Sequence, residues 1–192
     1  MSKRLITEDR LTEILKCKPS SAPNRVYIYA ADGYLYHPEL WDYYVANDIT
    51  RGGIKGVALI TNNCRFFIAP PIYNSIKWAN LGPVNVDSQV DIKKYKQHYN
   101  GQEYTDMSIN KWGQQSNTTI VSSPTNTNTD MYAAYFCRKL PLFNNGYLGS
   151  VGEMYELYQN IDIINFAFAE WGIRDTLVSG QNFWTSNELG IQ

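Results

Sequence analysis

A chain of 192 residues with a formal charge of −1 is long enough for one domain, or one domain with a small appendage, and buries about 70% of its unfolded surface without needing disulfides or metals. No sustained basic run occurs, which argues against nucleic acid as the main partner. No stretch approaches the ~20 apolar residues of a membrane span, and the start has acids within its first ten residues and no apolar core of signal-peptide length, so the expected setting is assembly in a cytoplasm without membrane association.

Residues 4–17 are expected to form an amphipathic helix. Thr7 is its cap, Glu8 and Asp9 favour the positive end of the dipole, and Leu11, Ile14 and Leu15 make one apolar face. K-P-S-S-A-P-N at 18–24 reads as a linker, because two prolines suppress both helix and ladder. Residues 1–24 are thus expected to be a docking or oligomerisation appendage to a body at 25–192. Within the body, Val26 to Tyr29 reads as a strand, Asp32-Gly33 as a tight turn and Tyr34 to Tyr36 as the return. A helical turn is expected from Pro38. Gly56–Ile60, Asn62-Asn63 and Arg65–Ile68 form a hairpin whose near-continuous apolar runs place it centrally, covered on both faces.

Residues 72–129 show little periodicity. Asp91 to His98 reads as a short polar helix and 114–130 as surface loop. Asp130 caps a helix with Tyr132, Ala133, Phe136, Cys137 and Leu140 on one face, ending at Pro141. Asn145-Gly146 reverses the chain, and Ser150 with Glu153 forms a capping box for a helix whose Met154, Tyr155 and Tyr158 lie together. A further helix sets Ile161, Ile164, Phe168 and Trp171 on one face and stops at Gly172. Phe183-Trp184-Thr185 reads as a strand, and Trp171 and Trp184 as core residues.

The order helix, G-Y-L-G-S-V-G-E-M-Y-E-L-Y, helix, F-W-T-S-N-E over 130–188 resembles the C-type-lectin-like domains of phage fibre and virion proteins and of gut-bacterial surface proteins. The upstream D-G-Y-L-Y-H-P-E-L-W-D and G-V-A-L-I-T-N-N-C-R-F-F-I-A-P segments also resemble proteins of gut-bacterial phages. Gly149 stands where that family often has proline, and the chain stops soon after Glu188, where related domains add a final hairpin; the expectation is a truncated binding face. The resemblance implies an α+β fold with a central antiparallel sheet and flanking helices. It implies a non-enzymatic virion structural protein of a tailed bacteriophage, a fibre, decoration or connector component. Its partners would be further copies of itself, as a dimer or trimer, and other virion proteins. The alternative is a receptor-binding adhesin for a host glycan or surface protein.

The residues offer little to a catalytic reading. His37 and His98 stand alone, without a second histidine or cysteine at ligand spacing, and no E-P-N or W-N-D triplet offers calcium ligands. Cys17, Cys64 and Cys137 are odd in number and without C-x-x-C, so free buried thiols are expected. R-G-G-I-K-G at 51–56 lacks the spacing of a phosphate loop. Glu153 and Glu156 read as a cap and a solvent-facing helix residue. No catalytic residue, metal or cofactor is therefore expected. Fifteen tyrosines fit first the aromatic strands of a β-rich core, with a surplus for interfaces as the alternative. Trp41, Tyr43, Tyr44, Tyr95, Tyr99 and Trp112, with polar neighbours, join Leu11, Ile14 and Leu15 as interface candidates.

Overall fold

A computed structural model describes residues 16–70, 89–90, 99–112, 133–140, 145–174, 177, 185–186 and 188–189. These residues form a mixed α and β protein that divides into two compact units. The sheet unit spans Met1–Pro70 with Asn160–Val178, and the helical unit spans Pro71–Gln159 with Ser179–Gln192.

In the sheet unit, β1 (Lys16–Cys17), β2 (Arg25–Ala30), β3 (Leu35–Tyr36), β4 (Ile54–Ile60) and β5 (Arg65–Ile68) make an antiparallel sheet in the order β1-β3-β2-β4-β5. The β2–β3 connection forms as the sequence predicts. Gly33 takes φ +84°, Asp32 Oδ1 accepts from the Tyr34 N–H at 3.1 Å, and the Gly33 N–H donates to the Ala30 carbonyl at 3.0 Å. Ile28 lies opposite both Tyr36 and Val57, so three fully buried side chains share one face. On the other face Tyr27, Leu35, Ala58 and Ile60 gather with Ala22, and Cys17 and Tyr29 pack against them.

A 3-10 turn (Pro38–Leu40) leads into α1 (Trp41–Ala46), which confirms the helical start at Pro38. α5 (Ile161–Glu170) packs on the 3-10 turn, β2 and β4, with Ile164, Ala167 and Phe168 fully buried. It ends as expected at Gly172, φ +77°. The Gly172 N–H donates to the Ala169 carbonyl and the Ile173 N–H to the Phe168 carbonyl, both at 2.9 Å, which is the Schellman closure.

Three expectations for this unit are corrected. Lys16–Cys17 are a strand paired with β3, not a helix end, while residues 4–15 lie outside the described residues. The 18–24 stretch is no free linker: Ala22 is 1% exposed, Arg65 donates to the Pro19 and Ala22 carbonyls at 2.9 Å each, and Tyr27 donates to the Pro23 carbonyl at 3.1 Å. Prolines cannot donate to a ladder, but their carbonyls still accept, and these side chains use them. The β4–β5 hairpin is central only in β4, where Gly56–Ile60 are all buried. β5 is an edge strand with Arg65 and Phe67 exposed.

The helical unit contains α2 (Gly101–Trp112), α3 (Ala133–Lys139) and α4 (Val151–Gln159), with β6 (Gln89–Val90) paired in parallel to β7 (Glu188–Leu189). α2 lies in the stretch whose sequence shows little periodicity. It packs against α3, which buries Ala133, Ala134, Tyr135 and Phe136 in succession, so its first turn is enclosed all round rather than along one stripe. α4 turns Gly152, Glu153 and Leu157 inward and leaves Tyr158 50% exposed, so the expected Met154–Tyr155–Tyr158 face is not the buried one. The paired residues near the C-terminus are Glu188–Leu189; Thr185 is outside any strand, and Phe183 and Trp184 lie outside the described residues. Asp91 to His98, 114–130 and Tyr132 lie outside them as well. Trp171 is half-buried at the C-cap of α5 rather than in the core.

Candidate functional site

Two places concentrate the side chains that the sequence singles out. In the helical unit, the segment 146–150 is bonded through its own backbone at nearly every step. Arg138 Nε donates to the Gly146 carbonyl at 3.0 Å. Thr105, fully buried, accepts from the Leu148 N–H at 3.0 Å and donates to the Leu148 carbonyl at 3.4 Å. The Ser186 N–H donates to the Gly149 carbonyl at 2.9 Å. The Ser150 N–H donates to Glu153 Oε2 at 2.7 Å, which is the carboxylate half of the expected capping box. The Ser150 hydroxyl donates to the same oxygen at 3.0 Å, and Tyr147 donates to Oε1 at 3.1 Å.

Glu153 is thus a carboxylate only 5% exposed that holds three donors. Hydrogen bonds to a charged acceptor are stronger than neutral ones and offset its loss of water. Gly101, the first residue of α2, lies directly against this group. A Cβ there would stand 2.3 Å from Glu153 Oε2 and 2.7 Å from the Ser150 nitrogen. Gly146 is constrained in the same way, since its Cβ would meet the Cys137 carbonyl oxygen at 2.3 Å. Positive φ belongs to Asn145, at +62°, rather than to the glycine expected to take it. Ser150, Glu153 and Thr105 are thus buried with their polar atoms bonded within the unit.

In the sheet unit the aromatics cluster around the 3-10 turn and α1. The Tyr36 ring lies tilted at 4.9 Å from Tyr44 and edge-on at 5.8 Å from Trp41, and Tyr27 lies 5.5 Å from the His37 ring. The Tyr36 hydroxyl is shared between Asp32 Oδ2 and the Ile49 carbonyl. Burial pushes the Tyr27 hydroxyl up to about 12 and raises Tyr36 and Tyr44 as well. His37 is held below its usual range, first by burial and then by Arg25. Among the described residues, the buried His37 Nδ1 and Tyr44 hydroxyl meet no hydrogen-bond partner.

The interface candidates separate accordingly. Tyr43 is 46% exposed and remains one. Trp41 and Tyr44, at 8% and 0%, are core residues. They sit one helical turn apart, so both point inward whatever the polarity of their sequence neighbours. Tyr99 is half-buried and donates to Glu156 at 3.2 Å, so Glu156 is not simply a solvent-facing residue. Trp112 closes α2, and its side chain lies outside the described residues, as do Leu11, Ile14, Leu15 and Tyr95. Sequence reasoning missed Leu40, Val45 and Phe166, which are 40%, 53% and 44% exposed. Their signal was the acidic residues interleaved with them.

All three cysteines are half-buried thiols outside any disulfide. Burial raises the thiols of Cys17 and Cys137, the latter to about 12, which removes thiolate character. Among the described residues no three His, Cys, Asp or Glu side chains converge as a metal set, and no helix is long and apolar enough to cross a membrane.

The chain matches no protein-family model, no curated protein and no solved structure.

Proposed function

We propose that the chain is a structural protein of a tailed-phage virion, a fibre, decoration or connector component without catalytic activity. It would act through contacts with other virion proteins and with further copies of itself, as a dimer or trimer. The observation that carries this reading is where the polar and apolar groups are spent. The hydroxyls and the carboxylate of the 147–153 segment are turned inward on one another, while Leu40, Tyr43, Val45 and Phe166 are left outside. Apolar and aromatic groups with exposed surface suit protein contacts.

A C-type-lectin-like scaffold is part of the same proposal. It is supported by the junction of the two motif segments, in which the Ser186 N–H of F-W-T-S-N-E meets the Gly149 carbonyl of G-Y-L-G-S. Solution mass measurement combined with a glycan array tests the function. A stable oligomer that binds no glycan is the expected result. A monomer that binds a cell-surface sugar would overturn it in favour of an adhesin.

A further inference from the structure

Three aspartyl- or asparaginyl-glycine pairs occur in the chain: Asp32-Gly33, Asn100-Gly101 and Asn145-Gly146. Such pairs are chemically labile, because glycine places no side chain between its nitrogen and the side-chain carbonyl before it. The fold treats the three differently. Both carboxylate oxygens of Asp32 accept hydrogen bonds, from the Tyr34 N–H and the Tyr36 hydroxyl, and the Gly33 N–H is bonded to Ala30. The Asn100 amide donates to Glu103 Oε2 at 3.0 Å, its carbonyl accepts the Tyr104 N–H at 3.0 Å, and Gly101 is buried at the start of α2. Asn145 is exposed. Among the described residues, neither its side chain nor the Gly146 N–H is held by a hydrogen bond.

We propose that Asn145-Gly146 is a site of spontaneous deamidation and chain isomerisation, and the reactive one of the three pairs. The Gly146 nitrogen attacks Asn145 Cγ and a C–N bond forms. The bond from Cγ to the side-chain nitrogen breaks, and ammonia leaves with the Gly146 amide proton. Water then opens the cyclic imide. Attack at Cγ gives aspartate, and attack at the main-chain carbonyl carbon gives isoaspartate, whose backbone runs through Cβ. The isoaspartate product does not fit the node that follows it. Arg138 Nε holds the Gly146 carbonyl at 3.0 Å, and even a Cβ on Gly146 would stand 2.3 Å from the Cys137 carbonyl oxygen. A lengthened main chain at Asn145 therefore displaces Gly146 and loosens the bonded 146–150 segment. Aspartate adds only a charge at an exposed position. The pair is thus a slow chemical clock on the packing of the helical unit.

The test ages the full chain in mildly alkaline buffer, which speeds attack by the amide nitrogen. Products are mapped by peptide mass and by an isoaspartyl methyltransferase assay. Asn145 is expected to convert about tenfold faster than Asn100 or more, because the hydrogen bonds and helical turn at Asn100 must open first. In denaturant, where neither pair is held, the two rates should become equal. The isoaspartate-bearing fraction should lose amide protection across 146–150, while Asn145→Asp keeps it. Asn145→Gly suits the positive φ and lacks the amide, so it should age without that loss. Equal rates at Asn100 and Asn145 in the folded chain, or no conversion at Asn145, overturns the assignment. Full protection across 146–150 in the isoaspartate form, or equal loss in Asn145→Asp, overturns the role as a clock.

Discussion

The sheet unit and the helical unit solve the same problem with different materials. The sheet unit is held by apolar and aromatic burial on both faces of β2 and β4, with Tyr27, Tyr36, Tyr44 and Phe168 all at or below 1% exposure. The helical unit is organised around polar groups: Glu153, Ser150 and Thr105 are buried and bonded to backbone that has no ladder partner in that stretch. Apolar burial tolerates imprecision, since cores accept volume-conserving exchange. A buried polar network tolerates little, because a donor left without its acceptor keeps the full cost of desolvation.

The largest effect should come from the sheet unit. Phe168→Ala removes a fully buried ring and should cost about 3–5 kcal/mol, read by denaturant unfolding. In the helical unit Glu153→Ala removes the acceptor of the Ser150 N–H and of the Tyr147 hydroxyl and should cost about 2–3 kcal/mol. Gly101→Ala pushes a methyl into the same node and should cost about 1–3 kcal/mol, with Glu153→Ala partly relieving it in a double-mutant cycle. If the two effects simply add, the glycine and the carboxylate do not act as one site.

The units should also part in acid. His37 has a folded pKa below its ordinary 6.5, so the unfolded chain takes up the proton first. That contribution is present above pH 6.5 and is lost as pH falls through the lower folded value. A thermal melt of the sheet unit should therefore weaken below about pH 6.5, and His37→Phe should flatten the dependence. An unchanged pH profile in that variant would remove His37 from the account. In alkali the sign reverses for Tyr27, whose folded pKa is raised to about 12 from 10, so its stabilisation is lost as pH rises across that interval.

The difference between the units also explains what the sequence made legible. The Asp32-Gly33 turn, the apolar run of β4 and the Gly172 stop are local signals with local causes, and each stands where the sequence puts it. α2 was not legible because its buried positions include Thr105 and Ser108, whose hydroxyls bond to Leu148 and to the Tyr104 carbonyl. No apolar stripe announces it. β1 is two residues long and owes its existence to β3. For the candidate surface, Tyr43 was legible as an exposed aromatic. Trp41 and Tyr44 were misjudged because burial follows the angle around α1, not the polarity of the next residue.

Hydrogen exchange, residue by residue, on the wild type and Glu153→Gln tests most directly whether the 146–153 network is a structural device of its own unit. The account predicts lost protection across 101–112, 133–139 and 145–159, with β2 and β4 protected as in the wild type. Unchanged protection in the helical unit, or loss spread equally over both units, would contradict it.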